Sequence, residues 1–291
     1  MCELDYLNLL KNIIENGNKR NDRTGTGTIS LFGEQLKFNL RNNTLPLLTT
    51  KKVYWKGVAE ELFFFLKGKT DNTYLQNKGV RIWDGNSSRE YLDKIGLKDR
   101  EVGDLGPVYG FQWRHFGAEY SSFNENYDGK GIDQLNNAIN LIKTDPTSRR
   151  IYVSAWNPNQ LKEMCLPPCH ISFQFYVNIE KGELSCKMYQ RSVDCFLGLP
   201  FNIASYGLLT HMIAKMCGLV AGDLIISMGD SHIYANHIEQ CKMQLSRMND
   251  IREFPKLNIK NVYDDIEKYE FDDFELIGYN PLPTIKADMA V

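Results

Sequence analysis

The chain predicts an α+β (mixed α/β) fold in one domain, on three observations. Ile171, Phe173, Phe175, Val177 and Ile179 alternate strictly with Ser172, Gln174, Tyr176, Asn178 and Glu180. Leu184, Cys186 and Met188 alternate again after Lys181-Gly182, so the stretch reads as a hairpin with one apolar face. Long apolar segments free of internal proline, 52–68 and 201–218, read as buried helices stopped by Gly68 and Gly218. No Pro/Ser/Gly linker, repeat or low-complexity tract divides the chain, so residues 1–291 are taken as one domain.

The other elements follow in order. Leu4, Leu7, Leu10 and Ile14 share a helical face, and Gly17 marks its end. "TGTGTISLFG" (24–33) is too rich in glycine for a helix and reads as a loop, then a strand. "RRIYVSAW" (149–156) reads as a strand and "ANHIEQCKMQLSRM" (235–248) as a helix. Strands mixed with helices give the α+β or α/β class.

Composition narrows the function classes. The chain is 43% hydrophobic and 24% charged, ample for a core, with a formal net charge of −2. No global basic field points to nucleic acid, so any anion site is local. No apolar run reaches the roughly 18 residues that span a bilayer. The N-terminus lacks the basic segment of a signal peptide and reads as an amphipathic helix, which predicts a reducing compartment, cytoplasmic or nuclear. Seven scattered cysteines without a CxxC argue against a disulfide framework.

"MCLPPCH" (164–170) is the richest stretch. A buried cysteine is usually a small hydrophobe. Cys169, however, follows the stiff Pro167-Pro168 turn and stands at the mouth of the alternating strand, a place for a fixed nucleophile. His170 is the adjacent base, but neighbours on a strand point to opposite faces, so cationic help for the thiolate is the better reading. Cys165, Cys169 and His170 make an incomplete zinc set, and His232 and His237 in "HIYANH" lack helical metal spacing.

Arg20 and Arg23 precede the Gly/Thr loop, Arg149 and Arg150 lie in "TSRR", and Arg191-Ser192 follows an alternating strand. Exposed arginine is ordinarily a solvated surface, yet a guanidinium on a core-facing strand calls for an anion. Together with Ser192 and the backbone amides of "TGTG", these suit a phosphate. Glu61, set among aromatics, is either a surface carboxylate or an acid with a raised pKa. Glu60 competes for that role, and helical geometry lets only one face the site. Asn202 reads as a helix N-cap or as an amide able to read a base edge.

Taken together, "NDRTGTGT", "PLLTTKK", "IWDGN", "GDLGPVYGFQWRHFG", "DPTSRRIYVSAWNP", "LPPCH", "QRSVD", "LGLPFNIASY", "GDSHIY" and "GYNPLPTIKADMAV" resemble thymidylate synthase, in its eukaryotic-like branch, across essentially the whole chain. The resemblance implies a large twisted mixed sheet flanked by helices, and a sheet-to-sheet homodimer. It implies conversion of deoxyuridine monophosphate (dUMP) to thymidine monophosphate, with 5,10-methylenetetrahydrofolate as co-substrate and no metal. Cys169 would add to C6 of the uracil. Arg191 would bind phosphate and lower the cysteine pKa, with Arg23, Ser192 and, from the neighbouring subunit, Arg149 and Arg150 completing the phosphate site. Asn202 would read the uracil edge, and His232 and Tyr234 the ribose hydroxyl. Gln190 and His170 would support the cysteine and an ordered water network. Glu61 and Tyr109 would move protons. Asp194, Ile82, Trp83, Leu197, Ala290 and Val291 would contact the folate.

Phe63-Phe64 stands where the family reads leucine then tryptophan, and Cys165 where it commonly has alanine. The length leaves no room for an attached dihydrofolate reductase domain. A nucleotide hydroxymethylase of the same fold competes with this reading. Its cytidylate form is expected to carry aspartate at the position of Asn202, and a uridylate form is separated only by assay. Binding to its own message is the alternative of another class, for which the balanced charge offers no footprint. A pure scaffold leaves the cysteine, arginine and carboxylate set unexplained.

Overall fold

The computed structural model describes residues 3–22 and 24–289. Helix α1 (Glu3–Asn16) buries Tyr6, Leu7, Leu9, Leu10 and Ile13. Leu4 is 37% exposed, so the buried stripe is turned from the predicted one. Tyr6 explains the turn: its hydroxyl donates to the Cys195 carbonyl at 2.9 Å, deep in the core.

Strands β1 (Asn18–Arg20), β2 (Thr28–Phe32) and β3 (Gln35–Asn39) follow. Helix α2 (Trp55–Leu66) buries nine of its twelve residues, as its apolar sequence requires. Short helices α3 (Thr73–Asn77) and α4 (Arg89–Lys94) lead to α5 (Tyr109–His115) and α6 (Gln134–Thr144). Strand β4 is only Tyr152–Ser154, and Arg149 and Arg150 form the turn before it. The predicted hairpin is β5 (His170–Asn178) and β6 (Glu183–Asp194).

Helix α7 (Gly198–Met216) starts before the predicted position. Pro200 sits in its first turn, where a missing N–H costs nothing. It leads into β7 (Val220–Tyr234), a fifteen-residue strand the sequence reading did not identify. The predicted 235–248 helix is a 3-10 turn over Ala235–His237, then α8 (Ile238–Leu245). Strands β8 (Lys256–Ile259) and β9 (Phe274–Ile277) pair separately.

The main sheet has seven strands in the order β1-β2-β7-β6-β5-β4, with β3 also on β7. Only β6 and β7 run parallel, and α7 is the crossover between them, packed on both. Strands β2 and β3 occupy successive lengths of the same edge of β7, 230–234 and 223–227. Gly33, at φ +91°, makes the step between them. The main core runs from Tyr6 to Ile285, and a smaller cluster of Phe111, Ala118, Tyr120 and Tyr127 lies apart from it.

The other face of the sheet is open. Tyr152 (49% exposed), Tyr176 (69%) and Tyr189 (40%) stand on it with exposed Gln174 and Lys187. A registered row of Tyr152, Gln174, Lys187, Ile225 and Lys37 crosses all of it from β4 to β3.

Helices α2 and α5 meet at Gly110. A Cβ there would lie 2.5 Å from the Phe65 carbonyl oxygen and 2.7 Å from its Cα. Only glycine lets the backbones close this far, and the contact seats Tyr109 against Phe65, ring centroids 4.8 Å apart. Gly110→Ala is expected to cost about 1–3 kcal/mol in denaturant unfolding, the usual price of overpacking. Unchanged stability would show that the two helices are free to separate.

Candidate active site

Cys169 stands at the end of the Pro-Pro turn, partly exposed. One residue of β6 holds that turn. The Arg191 amide donates to the Cys169 carbonyl (2.9 Å), its Nε to the Pro168 carbonyl (2.8 Å) and its Nη2 to the Pro167 carbonyl (2.9 Å). The guanidinium also lies 5.5 Å from the Trp156 ring centroid. Among the described residues no carboxylate pairs with Arg191. The predicted need for an anionic partner is therefore unmet among the described residues.

Tyr109 approaches Cys169 from α5. Its hydroxyl oxygen accepts the Cys169 N–H at 2.8 Å. Burial pushes the phenol well above its ordinary range, so it keeps its proton. His170 is stacked on Tyr109 (4.2 Å between centroids) and its Nδ1 hydrogen bonds the Tyr206 hydroxyl at 2.8 Å. Burial pushes its pKa down to about 3, so the ring is neutral at physiological pH. It supplies no positive charge to a thiolate.

Gln190 is buried opposite His170. Its Nε2 donates to Asn202 Oδ1 at 2.8 Å, and its own Oε1 has no partner. Asn202 lies in the interior of α7, whose N-cap is Leu197, so it is no helix cap. Both its amide protons are uncommitted among the described residues, and Oδ1 keeps a lone pair. A buried orphan acceptor beside a free amide suits a planar ligand edge that both donates and accepts hydrogen bonds.

Glu61 and Glu60 diverge as helical geometry demands. Glu60 turns to Lys78, 4.0 Å away. Glu61, only partly exposed, accepts the Trp83 indole N–H at 2.8 Å. Burial pushes its carboxyl up to about 7, against the lowering effect of that bond.

Asp194 Oδ1 accepts the amides of Phe196 (2.9 Å) and Leu197 (3.1 Å). Ile82 and Leu197 are half-buried against the core, leaving apolar edges exposed, and Trp83 is buried. His232 Nδ1 donates to Asp230 Oδ1 at 3.1 Å, and Tyr234 packs edge-on against the His232 ring. Ser192 pairs in register with Asp230. Arg149 and Arg150 are exposed, and their guanidiniums bind nothing within the described residues. Arg23, Ala290 and Val291 lie outside the described residues.

The Gly/Thr loop departs from expectation. Asp22 accepts the amides of Thr24 (2.8 Å) and Gly27 (2.7 Å) through its side chain and that of Gly25 (3.1 Å) through its carbonyl. The Thr26 amide donates to Thr24 Oγ1 at 3.3 Å. All four amides of "TGTG" are consumed internally, so the loop offers side chains rather than backbone to a phosphate. Arg20 is likewise engaged, with Asp230 at 2.6 Å.

Sequence reasoning passed over Tyr206, Trp156 and Asp230. The first two act through contacts distant in sequence. Asp230 was within reach, since it stands two residues from His232 on a strand and shares its face. Among the described residues no group of three or more His, Cys, Asp or Glu side chains gathers as a metal site.

The family profile of thymidylate synthase matches residues 4–291. The chain belongs to the thymidylate synthase family. It is 56% identical to human thymidylate synthase over 289 residues, 99% of this chain and 91% of that one. It is 52% identical to thymidylate synthase 1/2 of Encephalitozoon cuniculi, over 99% of this chain and 97% of that one. The bifunctional dihydrofolate reductase-thymidylate synthase of Zea mays is 56% identical over 99% of this chain, which spans 54% of the larger protein.

Glu61 sets a pH dependence whose sign is fixed. Its folded pKa, about 7, lies above the 4.5 of a free glutamate. The folded state therefore holds the proton more tightly, and stability, complete below pH 4.5, is lost as pH rises through about 7. Glu61→Gln removes this loss. It is expected to raise the unfolding free energy at pH 8 by about 2–3 kcal/mol and to change little at pH 4. Equal effects at both pH values would contradict the burial argument.

Proposed function

We propose that this protein is a thymidylate synthase, converting dUMP and 5,10-methylenetetrahydrofolate to thymidine monophosphate and dihydrofolate. The observation that carries the proposal is the cysteine turn: Cys169 is fixed by Arg191 through three successive carbonyls and faces Tyr109.

Cys169 is the nucleophile. Its sulfur bonds to C6 of the uracil, and the displaced electron pair moves to C5 and O4, leaving C5 ready to attack a one-carbon unit. Asn202 and Gln190 orient the ring through the N3–O4 edge, for which a free amide and an orphan acceptor are suited. Glu61, half-protonated near neutrality, serves proton transfer at O4. Tyr109, with its proton retained, would orient the water that takes the C5 proton, and neutral His170 braces its ring. Methylenetetrahydrofolate supplies the one-carbon unit and the hydride. Ile82, Trp83, Leu197 and Asp194 would hold it, with Ala290 and Val291 closing over it to exclude water.

The phosphate goes to Arg191, Ser192 and Arg23, with Arg149 and Arg150 of a second subunit. Two features support a homodimer: the tyrosine-bearing open sheet face, and two exposed guanidiniums with no partner among the described residues. His232 and Tyr234 take the ribose hydroxyl.

Mixing the protein with dUMP and methylenetetrahydrofolate tests the reaction. Dihydrofolate should form, and a product without it would indicate a hydroxymethylase instead. Cys169→Ser should abolish turnover while dUMP binding persists, and residual turnover would reassign the nucleophile. Arg150→Ala mixed with Cys169→Ala should regain activity through hybrid dimers carrying one intact site. No recovery after demonstrated subunit exchange would count against shared sites.

A further inference from the structure

We infer that His237 is the latch that holds the C-terminal segment closed over the folate side of the site, an inference that rests on the proposed function for what lies beneath the tail. His237 is fully buried at the junction of β7 and α8. Its Nε2 lies 2.7 Å from the carbonyl oxygen of Asp288, three residues from the terminus. A carbonyl only accepts, so Nε2 carries the proton. Among the described residues beyond Pro283, this is the only hydrogen bond the tail makes.

The preceding segment is held differently. Leu282 donates to the Thr49 carbonyl, Arg247 to the Pro283 carbonyl, and Arg252 to Asn280. Ile285 is buried in the core. After Ile285, Lys286 and Asp288 are exposed and Ala287 is half-buried against the core, and His237 bonds the Asp288 carbonyl.

The other ring nitrogen points toward the site. His237 Nδ1 has no hydrogen-bond partner and lies 4.0 Å from Asp194 Oδ1. Tyr234 and Phe196 flank the ring, at 5.8 and 5.5 Å between centroids. Asp194 is fixed in turn by the Phe196 and Leu197 amides. One imidazole is therefore bonded to the tail on one side and stands 4.0 Å from the carboxylate assigned to the folate on the other, with no hydrogen bond to it. His237 is a positioning residue: it acts by setting the fraction of molecules with the tail in place. A ligand bound only by the closed form has its apparent affinity reduced by that fraction.

The test compares donors by position. In His237→Gln the side-chain amide replaces Nε2. His237→Asn reaches only as far as Nδ1, and His237→Phe fills the space with no donor. The first readout is the rate at which carboxypeptidase releases residues from the unliganded protein. His237→Asn and His237→Phe should speed release by roughly three- to tenfold, the loss of one hydrogen bond, while His237→Gln stays near wild type. The second is steady-state kinetics. The two non-donating variants should raise the KM for methylenetetrahydrofolate by a similar factor and leave the Kd for dUMP unchanged. Release rates equal in all four proteins would overturn the latch, as would a glutamine variant as impaired as the phenylalanine one. A wild-type protein that forms no dihydrofolate yet shows the release pattern would keep the latch and sink the reaction assignment.

Discussion

Three hydrogen bonds from Arg191 to three consecutive carbonyls fix the geometry on which the rest of the site is built. Pro167 and Pro168 have no N–H, so the turn cannot organise itself through a backbone ladder. The carbonyls it presents would be left unsatisfied without an outside donor. Arg191 supplies that donor from the next strand, and its half-buried guanidinium rests near the Trp156 ring. The bulge between His170 and Ser172, where the β5–β6 register shifts, lies directly beyond this clamp. Pairing thus holds at His170–Gln190, next to the clamp, and shifts by one residue before Ser172–Tyr189.

Burial acts on three neighbouring groups in the direction of the uncharged form, fully for Tyr109 and His170 and about halfway for Glu61 near neutrality. It raises Glu61 and Tyr109 and lowers His170. In each case the cause is the same, loss of water around the ionised form. Among the described residues Arg191 pairs with no carboxylate, so its charge stands beside neutral His170 and Tyr109 without being cancelled. Lys51 obeys the same rule behind Asp194. It is buried over the Phe196 ring and pushed down to about 8.

The hairpin was legible because one face of it is buried and the other open, which writes the alternation into the sequence. Strand β7 was not. Covered by β2 and β3 on one edge and β6 on the other, it has buried residues on both faces, and Gly222, Gly229, Asp223 and Asp230 break its rhythm. Cys169, Arg191 and Glu61 announced themselves as residue types out of place. The N-terminal loop misled because its glycines and threonines were visible but the claim of Asp22 on their amides was not weighed. Tyr206 and His237 carry no local signature, since each matters through a partner dozens of residues away.

The bond between the Trp83 indole and Glu61 has a consequence for light as well as for protons. An indole whose N–H points at a carboxyl senses whether that carboxyl is charged, because a negative charge beside the ring shifts its excited state. Trp83 is one of four tryptophans in the chain, and the one hydrogen bonded to the acid of the site. The Trp83 ring therefore sits beside the carboxyl that burial pushes up to about 7, and a change in the charge of Glu61 falls directly on this indole.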